Sequence, residues 1–177
     1  DVEIDGANVN HLGAVINCLQ SKDCKIDGDD TYMRVRSTGR IHGVHAQSAP
    51  YPLLPTDMQP QLLCASCFSD GVSVIRETVF ESRFAHVKEM QKLGAKINVR
   101  GDTATIFGCE KSDSPYMIKG GSVVASDLRA GGALCIAALK IKGESKVYGV
   151  DFIDRGYERI EDLFCSLGGY VLRTKDR

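Results

Sequence analysis

Apolar and polar residues alternate in short runs near 24–26, 72–75, 95–99, 146–148 and 170–172, the period-two pattern of β-strands. Ile26-Asp27-Gly28-Asp29-Asp30 and Val99-Arg100-Gly101-Asp102 are turn clusters between such runs, and each predicts a hairpin. Helical patterns of two kinds separate the strands. The runs led by Thr56-Asp57-Met58-Gln59 and Ser126-Asp127-Leu128-Arg129 are apolar nearly all round, which predicts interior helices. Those from about Arg83 and Tyr157 carry one apolar stripe each (Phe84, Val87, Met90; Tyr157, Ile160, Phe164, Leu167) beneath a charged face, the signature of surface helices. Two helix layers with a strand layer follow, an α/β (α+β) fold.

Capping chemistry marks the helix starts. Thr56 and Ser126 can accept from free backbone N–H groups, and Asp57 and Asp127 suit the positive end of a helix. Pro60 fits only in a first turn. The patterns also repeat: residues 20–36, 91–108 and 166–174 each read as a helix end, a small turn and an alternating strand. Leu93-Gly94 and Leu167-Gly168 mark the clearer copies, and 23–26 is more degenerate. A spacing of roughly 70 to 75 residues predicts a few supersecondary units and not a solenoid. The chain reads as one domain over 1–177, with units near 1–50 (partial), 51–120 and 121–177. Only two [Ser/Thr]-Asp helices accompany the three turns, and Asp1-Val2-Glu3-Ile4 opens as a strand already under way. An upstream unit is therefore expected.

Composition narrows the functional classes. With 177 residues, 43% hydrophobic and 25% charged, the chain is globular in type, and 22 Lys+Arg against 23 Asp+Glu leave a net charge of −1. That balance argues against a nucleic-acid partner. The longest apolar stretch, 130–139, is shorter than the ~20 residues that span a bilayer. No charged-then-apolar leader opens the sequence, so a cytoplasmic protein with no membrane partner is expected. Seven scattered cysteines suit a reducing compartment. Cys64-Ala-Ser-Cys67 has redox spacing but lies inside an apolar helical run, where core thiols are the ordinary outcome. His11, His42, His45 and His86 form no metal spacing, and neither a metal nor a cofactor is expected. No Walker loop, dinucleotide fingerprint or nucleophile elbow is present.

Arginines stand out instead. Arg83 follows Glu81-Ser82, Arg129 follows Ser126-Asp127, and Arg155 sits in Asp154-Arg155-Gly156-Tyr157, each in or beside a first helical turn. A cation there opposes the helix dipole by a few tenths of a kcal/mol up to ~1. An anionic ligand or a neighbouring acid (Glu81, Asp127 or Asp154) would compensate, and both readings stand. Asp57 reads either as a base or hydroxyl acceptor, or as a cap like its repeat partner Asp127.

Four segments are more specific: Tyr51-Pro52-Leu53-Leu54-Pro55-Thr56-Asp57-Met58-Gln59, Glu77-Thr78-Val79-Phe80-Glu81-Ser82-Arg83-Phe84, Ala125-Ser126-Asp127-Leu128-Arg129-Ala130 and Ile153-Asp154-Arg155-Gly156-Tyr157-Glu158-Arg159-Ile160-Glu161-Asp162. In this order and spacing they resemble the enolpyruvyl transferases, in the branch acting on UDP-N-acetylglucosamine. The likeness spans the chain but only the C-terminal portion of the family's length. It implies an inside-out α/β barrel domain of βαβαββ repeats about a pseudo-threefold axis, with the first repeat incomplete. It also implies transfer of the enolpyruvyl group of phosphoenolpyruvate to the sugar 3-hydroxyl, by addition and then elimination, as the first committed step of peptidoglycan synthesis.

Carried over by motif, Asp57 is the catalytic carboxylate. Val79 and Phe80 border the sugar nucleotide, Arg129 and Arg155 bind phosphoenolpyruvate, and Asp127 holds that region; Arg83 is an anion-site candidate. The family's general-acid cysteine and lysine–asparagine pair have no counterpart here, which implies a partner domain and no activity from this chain alone. Two alternatives remain: the branch using shikimate-3-phosphate, and a non-catalytic repeat domain that binds a phosphorylated sugar or a protein.

Overall fold

In a computed structural model, residues 1–20, 23–37, 39, 41–109 and 117–174 are described; residues 21–22 of the first repeat segment lie outside that set. Strands β1 (Val2–Asp5), β2 (Cys24–Gly28) and β3 (Tyr32–Ser37) form an antiparallel sheet in the order β1-β3-β2, with helix α1 (Gly13–Leu19) between β1 and β2. A second sheet orders β4 (His45–Gln47), β5 (Val72–Arg76), β6 (Lys96–Arg100) and β7 (Thr103–Phe107) as β4-β5-β7-β6. Here β4 is parallel to β5 and the other pairs are antiparallel. Helix α2 (Gln59–Ser66) crosses from β4 to β5, and α3 (Val87–Lys92) links β5 to β6. Beyond them β8 (Ser122–Val124) pairs in parallel with β9 (Lys146–Tyr148) across helix α4 (Leu128–Lys140), followed by α5 (Val150–Ile153) and α6 (Ile160–Ser166). The class is mixed α/β, and both predicted hairpins form.

The four-stranded sheet buries one face. Ser73 lies opposite Ile106, Ile75 opposite Ala104 and Ile97 opposite Ile106, all buried. Helices α2 and α4 pack together beside it, contributing Leu62, Leu63, Cys64, Ala133, Leu134 and Ala137 to one core. Each large apolar side chain so buried stabilises the fold by about 1.5–3 kcal/mol. α2 is interior, with only Gln61 and Ala65 of its eight residues outside the buried set. α4 departs from the all-round burial expected, because Ile136 and Leu139 remain 37% and 43% exposed. Its inner face is narrowed by Gly131 and Gly132: a Cβ there would stand 2.5 Å from Ile153 and 2.7 Å from the Tyr157 hydroxyl.

Several local expectations change. Thr56 caps nothing; a 3-10 turn (Thr56–Met58) leads into α2 and its N-cap is Pro55. At α4 the cap is Asp127 and not Ser126. The pattern from Arg83 begins as a 3-10 turn (Arg83–His86), and the one from Tyr157 becomes helical only at Ile160. The strand expected over 170–172 does not form, since no partner strand pairs with it among the described residues; Tyr170 and Leu172 are exposed. Gly94 and Gly168 close α3 and α6 with φ of 99° and 89°, the left-handed ending that glycine permits. No helix among the described residues is long and apolar enough to cross a membrane. Cys64 and Cys67 are buried, and burial pushes the Cys67 thiol up to about 12, the reverse of what a working dithiol needs.

Candidate functional site

The side-by-side packing of α2 and α4 brings their N-terminal ends together. Asp57 stands in the 3-10 turn ahead of α2, and Arg129 in the first turn of α4; their side chains meet at 2.8 Å (Nη2 to Oδ2). Arg83, on the turn ahead of α3, reaches the other oxygen at 3.2 Å and also donates from Nε to the Thr56 hydroxyl at 3.1 Å. Its guanidinium lies 4.5 Å from the centroid of the Phe80 ring. One carboxylate thus faces two guanidinium groups from different segments. The Asp57 side chain is 49% exposed while Arg129 is 35% and Arg83 13% exposed, so the carboxylate opens to solvent between two more enclosed guanidinium groups. The surplus positive charge suits an anion.

Asp127 works differently. Its carboxylate accepts from the backbone N–H groups of Arg129 (2.8 Å) and Ala130 (3.0 Å), which fixes the start of α4 and so the direction of Arg129. Partial burial disfavours the Arg129 charge, but hydrogen bonds to Asp57 and Tyr157 outweigh it and hold the group above the usual arginine value. The Tyr157 hydroxyl accepts from Gln61 at 3.2 Å, tying α2 to the segment after α5.

The local-pairing reading of the arginines fails for all three. Arg83 and Arg129 both pair with Asp57, and neither Glu81 nor Asp127 is the ion-pair partner. Asp154 pairs with Arg173 instead of Arg155. Arg155 is exposed in the turn after α5 and makes none of these contacts, although Gly156 beside it sits against Leu128 at the mouth of α4. Val79 and Phe80 are 46% and 52% exposed and border a cavity of about 570 Å³ shared with Arg76, Phe84 and Asp102. Asp57, Arg83, Arg129, Asp127 and Phe80 therefore converge, Val79 adjoins them, and Arg155 stands apart.

Sequence reasoning missed three participants: Thr56 as a rest for Arg83, Tyr157 as a partner of Arg129, and Glu77. The Glu77 carboxylate is buried and accepts from the Ser48 and Thr56 hydroxyls and from the Val79 and Phe80 N–H groups. The one sequence signal was an acid directly after a strand, which is also common in ordinary turns. Beneath the site His86 is buried; its Nδ1 donates to the Arg83 carbonyl at 3.0 Å. No group of three or more His, Cys, Asp or Glu side chains that could hold a metal occurs among the described residues.

Residues 1–164 match the family described as EPSP synthase (3-phosphoshikimate 1-carboxyvinyltransferase). Over 175 residues the chain is 42% identical to the UDP-N-acetylglucosamine 1-carboxyvinyltransferase of Anaeromyxobacter sp. (strain Fw109-5), covering 99% of this chain and 40% of that protein. Over 177 residues it is 41% identical to the enzyme so named from Paramagnetospirillum magneticum (strain ATCC 700264 / AMB-1), with the same coverage. The chain therefore spans two-fifths of these relatives' length. Among solved structures, the enolpyruvyl transferase NikO from Streptomyces tendae superposes with a TM-score of 0.77 at 22% identity, over 94% of this chain and 38% of that one. EPSP synthase from Acinetobacter baumannii gives 0.74 at 18% identity, over 98% and 42%. These two likenesses establish the fold.

Proposed function

From the premise that the chain belongs to the EPSP synthase family, we propose that it is the Asp57-bearing part of a two-domain transferase. That enzyme moves the enolpyruvyl group of phosphoenolpyruvate to the 3-hydroxyl of UDP-N-acetylglucosamine and releases phosphate. The observation that carries this reading is the Asp57 carboxylate held, half exposed, between Arg83 and Arg129. Identity of 41–42% to relatives named for that sugar nucleotide favours it over shikimate-3-phosphate as acceptor.

In this reading Asp57 leaves an arginine partner and takes the proton of the sugar hydroxyl as its oxygen bonds to C2 of phosphoenolpyruvate. A proton reaches C3 from an acid outside this chain. Elimination then returns the C3 proton to the acid that supplied it and breaks the C2–O bond to phosphate, which leaves with the proton that Asp57 had taken. Arg129 and Arg155 neutralise the phosphate and carboxylate, a task for which a planar guanidinium suits better than an ammonium. Asp127 keeps Arg129 aimed, and Val79 and Phe80 wall the sugar nucleotide. Arg83 holds Asp57 from the other side.

The fold reading extends accordingly. The order β4-α2-β5-α3-β6-β7 is one βαβαββ unit. Strands β1, β2 and β3 with α1 parallel its second half, and β8, α4 and β9 its first. This supports a pseudo-threefold barrel domain over 1–177, with units near 1–50, 51–120 and 121–177. The general acid and the remaining substrate contacts belong to the partner domain, and the reaction to cytoplasmic peptidoglycan synthesis. The test is phosphate release by the joined two-domain enzyme with phosphoenolpyruvate and either acceptor. Turnover with UDP-N-acetylglucosamine alone is expected, and turnover only with shikimate-3-phosphate would overturn the reading.

A further inference from the structure

We propose that Glu77 is a positioning residue for the sugar-nucleotide side of the site: one buried carboxylate holds the Val79/Phe80 loop and the Thr56/Asp57 turn in fixed relation. The proposal rests on the functional reading above. A carboxylate 5% exposed is expensive to bury unless its lone pairs are filled. Here Oε1 accepts from Ser48 Oγ (2.7 Å), Val79 N–H (2.9 Å) and Phe80 N–H (3.0 Å), while Oε2 accepts from Thr56 Oγ1 (3.0 Å). The frame around it is equally fixed. Ser48 Oγ accepts from the Thr78 N–H at 2.9 Å, Thr78 Oγ1 donates to the Ser48 carbonyl at 2.5 Å, and the Glu77 N–H donates to the Asp102 carbonyl at 2.7 Å.

What Glu77 orders has little to gain from folding alone. Val79 and Phe80 lie in irregular backbone with their side chains about half exposed, so fixing them costs conformational entropy without burying much apolar area. A surface held that firmly and left open serves a ligand. On the other oxygen, Glu77 accepts the hydrogen bond of the Thr56 hydroxyl, which leaves Thr56 lone pairs free to accept from Arg83 Nε at 3.1 Å. That contact sets the guanidinium fork whose Nη2 meets Asp57 at 3.2 Å. Glu77 thereby acts on Asp57 through Thr56 and Arg83, and on the Phe80 ring through its backbone.

A carboxylate is specifically required. An amide of the same size has one accepting atom. Turned one way it leaves an NH₂ group against the Ser48, Val79 and Phe80 donors. Turned the other way it donates to Thr56, whose own proton is then driven toward Arg83.

The test uses the two-domain enzyme with Glu77→Gln and Glu77→Ala. Readouts are KM for UDP-N-acetylglucosamine and for phosphoenolpyruvate, hydrogen exchange at the Val79 and Phe80 amides, and the thermal midpoint. In folded Glu77→Gln, KM for the sugar nucleotide is expected to rise roughly tenfold or more, the scale of one lost hydrogen bond to a charged group. KM for phosphoenolpyruvate should stay within about twofold, since Glu77 makes no direct contact with Arg129 or Arg155. In Glu77→Ala the two amides should exchange at least about tenfold faster. If Glu77→Ala does not fold, the KM split in Glu77→Gln decides alone. An unchanged sugar-nucleotide KM, or parallel changes in both KM values, would overturn the proposal. Wild-type enzyme inert toward UDP-N-acetylglucosamine would overturn the functional reading, whereas unchanged amide exchange would count against Glu77 by itself.

Discussion

Asp57 and Asp127 hold matching places ahead of two packed helices, yet only Asp127 caps its helix; Asp57 turns away from the backbone to meet Arg83 and Arg129. The two should respond oppositely to the same change. Asp127→Ala removes the acceptor for two N–H groups at the start of α4 and should lower stability by about 1 kcal/mol. Asp57→Ala breaks two ion pairs on a half-exposed carboxylate and should alter stability by no more than about 1 kcal/mol. In the two-domain enzyme, though, kcat for Asp57→Ala should drop about 100-fold or more, as expected on removing a general base. Urea midpoints and steady-state rates separate the two effects. A full-speed Asp57→Ala enzyme would remove Asp57 from the chemistry.

The arginines divide by substrate. Arg129→Lys and Arg155→Lys keep the charge but lose the planar fork, so KM for phosphoenolpyruvate should rise about tenfold with little change in that for the sugar nucleotide. Arg83→Lys loses the joint hold on Thr56 and Asp57 and the contact with Phe80, and its effect should fall on kcat and the sugar nucleotide. Initial-rate kinetics with each substrate varied in turn check the split. Equal effects of Arg83→Lys and Arg155→Lys on phosphoenolpyruvate would contradict it.

The class of fold was legible because the patterns were local. Alternation over 96–99 and 103–107 around Val99-Arg100-Gly101-Asp102 could only be a hairpin, and the apolar run after Asp57 is interior as its composition demands. Cap identity was not, because Ser126 and Asp127 are both competent caps and backbone geometry chooses between them; Asp127, with φ −159° and ψ 175°, takes the place. The arginine partners were hidden for another reason. Asp57 and Arg129 are 72 positions apart, and their meeting depends on how α2 and α4 pack. Glu77 was invisible to pattern reading because its worth lies in four donors drawn from 48–80.

Gly132 gives a packing test of the same interface. A methyl group there would meet the Tyr157 ring and hydroxyl at 2.7–2.9 Å, forcing away the side chain that partners Arg129 and Gln61. Alanine in place of glycine favours the helix by up to ~1 kcal/mol, whereas overpacking costs about 1–3 kcal/mol. Gly132→Ala should therefore be destabilised by about 1–2 kcal/mol, with weaker use of phosphoenolpyruvate. Gly132→Ala in a Tyr157→Phe background should recover little, because the ring carbons clash as well. Stability at or above wild type in the single variant would show that Tyr157 moves freely.

His86 predicts how stability depends on pH. Burial pushes its pKa down to about 4 and the Arg83 charge adds to that, while the Arg83 carbonyl and the Asp127 charge oppose it. The ordinary value is 6.5, so between pH 4 and 6.5 the unfolded chain binds more protons than the folded one, and stability rises with pH over that window. The contribution of His86 is complete above pH 6.5 and is lost as pH falls toward 4, by about 3 kcal/mol in all. His86→Asn can keep a donor to the Arg83 carbonyl but has no proton to gain. Urea unfolding at pH 7.5 and pH 5 should show a decline about 2 kcal/mol steeper in wild type than in the variant. Parallel declines would mean that His86 titrates in the fold as it does in water, and that the buried nitrogen is not shielded as the packing beneath Arg83 requires.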